Sequence, residues 1–302
     1  MTDPRLLTRA GELRSGRTPF VLATVVRAER PTSARPGDAA LVLPDGTMEG
    51  FVGGACAEST TRVEGLRLLR SGESGLLRIT PGGRTGPDDG VRTVDNPCLS
   101  GGTLEIFLEA VIPPVLVAVF GDGPVARALV RVGQALEHDV RAVADPAAPL
   151  DPDTAAVVVA AHGRHEPPVL AAALRAGVPY VALVASPRRA AGVLAELAEL
   201  GVPSQECARV HAPAGLDIGA RTPPAIALSI YAQLVAEGPP VPRLGPAEDA
   251  PALGPPALDP VCGMAVAPGP ATMRVEHAGV VVWFCGSGCR QAFVDNPARY
   301  GR

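Results

Sequence analysis

Lysine is absent from this chain of 302 residues: all 27 basic side chains are arginine. That absence excludes a phosphate-binding Walker A lysine, a Schiff-base lysine and the Tyr-x-x-x-Lys base of short-chain dehydrogenases. Aromatics are scarce at 3%, so cores must be built from the Ala, Val and Leu that dominate an apolar fraction of 47%. No apolar run approaches the ~20 residues needed to span a bilayer. The start, "MTDPRLLTRAGELRSG", lacks the apolar stretch of a signal peptide, so a soluble cytoplasmic protein with no membrane partner is expected. A formal charge of -4 with scattered arginines leaves no basic patch, and nucleic acid is not an expected partner.

Six cysteines are present. Cys56, Cys98 and Cys207 are far apart, whereas Cys262, Cys285 and Cys289 crowd the C-terminus. Without a secretory signal these are expected as thiols rather than disulfides. They call for an explanation by burial, metal or reactivity.

The organisation reads as α/β: a small α+β N-terminal domain, a Rossmann-like parallel-sheet domain and a small Cys-containing C-terminal module. Residues 1–112 open with a helix at 4–14, a strand "FVLATVVRA", and a hairpin turning at Asp45-Gly46, the dipeptide favoured between antiparallel strands. A helix follows "GGACAES", with Leu66 and Leu69 on its inner face. The strands "LLRIT" and "TLEIFLEA" bracket a Gly-, Pro- and Asp-rich stretch from Pro81 to Pro97, read as a long loop of the kind that carries sites. In residues 113–237 the pattern changes to strand–helix alternation. "VLVAVF", "VRAVAD", "AAVVVAA" and "YVALVAS" are apolar runs of doubly covered parallel strands, with helices at about 124–136, 167–176 and 188–200. The helix "PPAIALSIYAQLVAEG" begins with proline in its first turn and ends at Gly238. Residues 238–257 form a proline-rich, extended linker. Residues 258–302 form a module too small to be secure without help, and its three cysteines suggest that the help is a metal.

Gly121-Asp122-Gly123-Pro124-Val125-Ala126 fits G-x-G-x-x-A between a strand and a helix. Gly121 and Gly123 allow a tight turn and close approach of a phosphate, and Ala126 permits close helix–strand packing. Backbone N–H groups at the helix N-terminus would attract the anion. Asp145, at the end of the next strand, is placed to accept a ribose hydroxyl. The same residues also suit a purely structural βα turn. A dehydrogenase would need an acid–base group as well, and nothing ties His162, His165 and His211 into one constellation. No catalytic residue is assigned. Arg188 and Arg189 are read as solvated rather than as anion partners.

Taken together, "ATVVRAERPTSARPGDAALVLPDGTMEGFVGGACAES", "NPCLSGGTLEIFLEA", "VFGDGPVARAL", "YVALVASPRRAAGVLAELAELG" and "VHAPAGLDIGARTPPAIALSI" resemble the XdhC/CoxI family. The resemblance spans residues 15 to 237, and the string His211 to Gly219 followed by Thr222-Pro223 is its most specific part. "CLSGG" and "GGACAE" look closer to the branch associated with carbon monoxide dehydrogenase. The pattern departs from the family at Pro224-Ala225, where acidic residues are usual, at Ala185-Ser186-Pro187-Arg188, where many relatives have Gly-Ser-Arg, and at Gly163, where Asp is common. The resemblance implies a maturation factor that binds molybdenum cofactor (molybdopterin or its cytidine dinucleotide form), protects its sulfido ligand and delivers it to a molybdenum hydroxylase of the xanthine dehydrogenase or carbon monoxide dehydrogenase type. Partners so implied are the hydroxylase large subunit and a cysteine desulfurase, with a homodimer as a further expectation. Within that reading Cys56 and Cys98 face molybdenum, Gly101 and Gly102 form a second anion-binding turn, and the Gly121–Ala126 loop holds phosphate. The alternative for both cysteines is that they are small buried apolar groups.

Residues 259 to 300 resemble a YHS domain: Asp-Pro-x-Cys-Gly-Met, an aromatic before Phe284-Cys285, Cys289, Phe293, Asn296-Pro297 and Tyr300. With a helix after Phe284, Cys285 and Cys289 share a face at i and i+4. Cys262 then completes three soft ligands for Zn or Cu(I), with His277 as a candidate fourth. A structural thiol cluster and a redox pair are the alternatives. For the whole chain, the competing functions are an NAD(P)-dependent oxidoreductase using the Rossmann domain, and a metal sensor or metallochaperone acting through the C-terminal module.

Overall fold

The computed structural model describes residues 3–82, 86–88, 90–95, 102–238, 256–269 and 272–300. Residues up to Pro113 and the C-terminal module form one compact unit, and the segment from Pro114 forms a second.

The first unit opens with α1 (Pro4–Ser15), which Asp3 caps by accepting the Arg5 N–H. There follow β1 (Phe20–Glu29), β2 (Ala39–Val42), β3 (Met48–Gly50), α2 (Ala55–Ser71), β4 (Gly75–Thr80), β5 (Gly86–Asp88), β6 (Val91–Asp95) and β7 (Thr103–Val111). These strands make a seven-stranded sheet in the order β3-β2-β1-β7-β4-β6-β5. The turn between β2 and β3 forms at Asp45-Gly46, where Asp45 accepts the backbone N–H of Thr47 at 2.8 Å. Helix α2 lies on the sheet with Leu66 and Leu69 buried against Val21, Val42 and Ile106. Each such aliphatic side chain removed from water contributes roughly 1.5–3 kcal/mol.

The stretch expected as a long loop departs from that reading. It carries β5 and β6, and β6 pairs parallel with β4 from Leu76↔Val91 to Thr80↔Asp95. The cue is the β-branched alternation of Val91, Thr93 and Val94, which is too short to stand out among glycine and proline.

The second unit contains β8 (Leu116–Phe120), α3 (Pro124–Ala135), β9 (Asp139–Val143), β10 (Thr154–Val159), α4 (Glu166–Arg175), β11 (Tyr180–Leu183), α5 (Pro187–Glu199), α6 (Ser204–Cys207), β12 (Val210–His211) and α7 (Pro223–Ala236). Its sheet runs β12-β11-β10-β8-β9, every neighbouring pair parallel. Counted within the domain, that is the doubly wound order 2-1-3-4-5, whose direction of winding reverses between β8 and β10. In open α/β sheets ligands bind at such a reversal, beyond the carboxyl ends of the strands. Two apolar layers cover the sheet, one from α4 and α5 and the other from α3 and α7. The close fit of the latter depends on Gly133: a Cβ there would lie 2.1 Å from the Tyr231 hydroxyl oxygen and 2.5 Å from Val140 Cγ2. That hydroxyl in turn donates to the Leu129 carbonyl at 2.9 Å.

The C-terminal module comprises β13 (Ala257–Leu258), β14 (Ala265–Val266), β15 (Met273–His277), β16 (Val280–Phe284), α8 (Ser287–Asp295) and α9 (Pro297–Tyr300). It forms two small antiparallel ladders, β13–β14 and β15–β16. Its own core is slight, built around Met264, Val266 and Phe284. Part of what it lacks comes from the N-terminal domain, since Ala267 is buried in the α2 core.

Among the described residues no helix is long and apolar enough to cross a membrane.

Candidate cofactor cleft and C-terminal thiol cluster

The glycine-rich loop leaves β8 at Phe120. Gly121 has φ +125°, and a Cβ there would sit 2.3 Å from the Ala160 carbonyl oxygen at the end of β10. Only glycine meets both conditions. Gly123 then caps α3 in an extended conformation and Pro124 follows it, with no side chain capping the helix. Among the described residues no side chain caps the first-turn N–H groups of Val125 and Ala126, and the positive end of the α3 dipole lies at this loop. Ala126 itself is buried against the sheet, as its small size requires.

Two guanidinium groups flank this loop. Arg164 Nη2 donates to Asp122 Oδ1 at 2.6 Å, and Arg127 Nη1 donates to the Asp122 carbonyl oxygen at 2.6 Å. Between the ends of β9, β8 and β10 lies a cleft of about 590 Å³ lined by Gly121, Asp122, Arg127, Arg164 and His165, with Val130, Val143 and Val169 supplying apolar walls. That size falls within the ordinary range for small-molecule sites.

The loop from His162 to His165 that closes the far side is held under strain. Both histidines are left-handed, at φ 52° and 53°, positions that non-glycine residues occupy only when surroundings enforce them. The enforcing group is Glu166, which is 1% exposed. It accepts the Gly163 N–H at 2.9 Å and forms an ion pair with Arg189, whose Nη2 also donates to the Val184 carbonyl. Arg189 is thus a structural counter-ion rather than a solvated group, whereas Arg188 is exposed. The His162 ring packs against Gly123, where a Cβ would be 2.6 Å from Nε2.

The remaining expected residues are placed as follows. Asp145 is exposed just past β9, where Oδ1 accepts the Ala147 N–H at 2.9 Å, and it is its neighbours Ala144 and Pro146 that line the cleft. His211 belongs to another network. Its ring stacks on Tyr180, Nδ1 lies 3.0 Å from Gln233 Nε2, and Nε2 lies 3.1 Å from Glu237. Gln233 also accepts the Tyr180 hydroxyl and the Gly215 N–H, so this part of the "HAPAGLDIG" string pins the chain between β12 and α7. Burial raises the Tyr180 phenol above its usual range, which keeps it a neutral donor there. Gly102 is buried, and a Cβ on it would fall 2.2 Å from the Pro31 carbonyl oxygen; that face of the residue is occupied by chain. Cys98 and Gly101 lie outside the described residues.

The second candidate site is in the C-terminal module. Cys285 Sγ lies 3.6 Å from Cys262 Sγ and 3.6 Å from Cys289 Sγ. With Asp259, these ligand atoms all fall within 4.8 Å of one another. A disulfide would need about 2.05 Å, so these are thiols. A tetrahedral cation with metal–sulfur bonds of about 2.3 Å separates its sulfurs by about 3.8 Å, which the observed spacing approaches. Cys285 does not share a helical face with Cys289 as the i, i+4 spacing suggests. Helix α8 begins at Ser287 and is capped by Gly286 at φ -171°, so Cys285 approaches from the end of β16. His277 is exposed and packs edge-on against Phe293 at 5.4 Å, away from the cluster. Asp259 is fully buried, and its two oxygens accept the N–H groups of Val261 and Cys285 at 2.9 and 2.8 Å. Donation by Cys285 holds the Cys262 thiol below its ordinary range, and the same bond pushes Cys285 up. Burial pushes Cys289 up to about 12.

Cys56 also belongs here. It is half-buried against the cluster of Met264, Val266 and Cys285, with its thiol in hydrogen-bonding reach of Cys285 and outside the tighter set of Asp259, Cys262, Cys285 and Cys289.

The connectivity, the glycine loop and the string after β12 meet in one assignment. Residues 117–234 match the XdhC Rossmann domain, and residues 13–80 match the XdhC and CoxI family. The chain belongs to the XdhC and CoxI family. Among curated relatives, it is 28% identical over 261 residues to the molybdenum cofactor insertion chaperone PaoD of Escherichia coli K12, covering 71% of this chain and 82% of PaoD. It is 27% identical over 257 residues to YqeB of the same organism, covering 76% of this chain. Only 46% of YqeB is covered, so the chain spans about half of that relative's length. A crystal structure described as a xanthine dehydrogenase from Bacillus halodurans aligns with 76% of this chain and 94% of its own at 17% identity and a TM-score of 0.35.

Proposed function

We propose that this XdhC/CoxI-family chain is a maturation factor that binds molybdenum cofactor and passes it to a molybdenum hydroxylase. The observation that carries the reading is the cleft at the β8/β10 reversal. There α3 begins without a side-chain cap, and Arg127 and Arg164 both lie beside the loop on Asp122, which supports a phosphate at this end of the cleft. Molybdenum cofactor offers a terminal phosphate in one form and a pyrophosphate-linked cytidine in the other. Both present an anion to the loop and a flat ring system to the apolar wall.

The protein's own part in this is recognition. Val125 and Ala126 donate N–H groups, Arg164 exchanges Asp122 for the ligand anion, and Gly121 keeps the loop close to β10. The cofactor, when bound, supplies the molybdenum centre that the client enzyme uses. Protection of its sulfido ligand, reception of sulfur from a cysteine desulfurase, and dimerisation belong to the same reading. The name of PaoD, an insertion chaperone for this cofactor, supports it.

A second reading concerns the C-terminal module. The clustering of Cys262, Cys285 and Cys289 favours a thiophilic cation such as Zn or Cu(I).

Purified protein incubated separately with molybdenum cofactor and with NAD(P), then passed through a desalting column, tests the main reading. Retention of molybdopterin with loss of nicotinamide is expected. Tight nicotinamide binding without molybdopterin would overturn the proposal in favour of an oxidoreductase.

A further inference from the structure

Cys56 lies in the N-terminal domain, more than two hundred residues from the C-terminal cysteines in sequence. Even so, it packs on the same small cluster and its thiol reaches Cys285, so that a small shift of the α2 start would bring it into the set formed by Cys262, Cys285 and Cys289. We propose that Cys56 is the fourth sulfur donor of one soft-cation site, built jointly by α2 and the C-terminal module. This inference rests on the metal reading of the C-terminal trio and extends it.

The donor chemistry favours sulfur in the fourth place. Asp259 is the competing ligand, but both of its oxygens already accept backbone N–H groups. It thus orients the Cys285 backbone; each oxygen keeps a second lone pair, but a soft cation prefers a thiolate to a carboxylate. Four thiolates suit a d10 cation held tetrahedrally in a structural site.

The electrostatics favour the same assignment. Cys56 is the second residue of α2, and Cys289 is the third of α8. Both helices start at a glycine, Gly54 and Gly286, and neither N-terminus has a side-chain cap. The two starts approach closely: a Cβ on Gly286 would lie 2.9 Å from Ala55 Cβ. Two positive helix ends thus lie beside one thiol cluster. A tetrathiolate site around a divalent cation carries net negative charge, which this arrangement offsets.

Access is provided as well. A cavity of about 410 Å³ between α2, β6 and the module opens onto Cys262, with Glu64, Arg92 and Asp95 in its walls. An ion can reach the cluster by that route without unfolding the module.

The consequence is mechanical. A cation held by Cys56 on one side and Cys262, Cys285 and Cys289 on the other clasps the small module to α2. It also commits Cys56 to that site.

Cobalt(II) substitution on the full-length chain, loaded anaerobically after chelation, reads out both metal and donor set. One cobalt per chain with the ligand-field bands of a four-sulfur tetrahedral site is expected. Cys56→Ser should keep the cobalt, lose roughly one quarter of the thiolate-to-cobalt charge-transfer intensity, and leave the far-ultraviolet circular dichroism unchanged. Cys56→Ala provides the same comparison without an oxygen donor. A wild-type spectrum of three sulfurs that Cys56→Ser does not alter would overturn the Cys56 assignment while leaving the trio's metal intact. Absence of bound cobalt from a folded wild-type chain would overturn the metal reading itself, and this inference with it.

Discussion

Removing Arg164 from the glycine-rich loop tests the cofactor reading most directly, because its effect on binding and its effect on stability point in different directions. Its ion pair with Asp122 is fully at the surface, with side chains 65% and 76% exposed. Exposed pairs of this kind contribute about 0–1 kcal/mol, so Arg164→Gln should change the unfolding free energy by less than about 0.5 kcal/mol. A charge-assisted hydrogen bond to a phosphate contributes about 1.5–3 kcal/mol. Giving up the Asp122 pair offsets part of that, leaving about 1–2 kcal/mol, or a loss of roughly 5- to 30-fold in affinity. Asp122→Asn does the opposite. It removes an anion beside the phosphate position and frees Arg164, and should tighten binding by roughly two- to fivefold, with the gain shrinking as salt screens the charges. Titration calorimetry with inorganic pyrophosphate and with cytidine 5′-monophosphate, at low and at moderate salt, measures all of this. Wild-type affinity in Arg164→Gln, or weaker binding in Asp122→Asn, would refute an anion at this loop.

Gly133→Ala should destabilise the Rossmann domain by about 1–3 kcal/mol, because its Cβ collides with the Tyr231 hydroxyl. Denaturant unfolding of Gly133→Ala, Tyr231→Phe and the double variant should show part of that loss recovered in the double. The His138 imidazole, tilted against Tyr231 with Nε2 buried and unpartnered, is held below its ordinary pKa by burial. Its neutral form stabilises the fold above about pH 6.5. That contribution is lost as pH falls through the lowered folded-state value, so melting temperatures of wild type and His138→Gln should converge on acidification.

The parallel strands and the helices between them were legible because doubly covered strands read as continuous apolar runs. "AAVVVAA" is one such run and becomes β10, every residue of which is buried. What the spacing of residues did not show is which strands are neighbours. Arg164 follows β10 and Asp122 follows β8, so they meet only because β10 lies beside β8 in the sheet. Strand order is a tertiary property, and so the two charges that flank the cleft carry no local signature, whereas its glycines do. Glu166 lacks a local signature for a related reason. An acidic residue in the first turn of a helix ordinarily reads as a solvated favourable charge, and its complete burial depends on Arg189 arriving from α5.

The cysteines separate these two levels more sharply. Cys262, Cys285 and Cys289 fall in one short segment, so their convergence needed only a turn and a strand end. Cys56 had a ready local explanation in the family motif "GGACAES", at the start of a helix where a thiolate is favoured. That explanation and the observed placement use the same physics. The helix start that would ready Cys56 for one metal readies it equally for another, and the choice is made by which partner reaches α2. In this chain the module joined through residues 238–257 supplies three more thiols at that spot. A module of this size with so slight a core needs an external anchor. Docking on α2 provides apolar contact through Ala267, and a shared cation would supply the rest. On the proposed shared site the module and Cys56 would act as one device, in which loss of the cation would loosen the module and uncover the α2 thiol together.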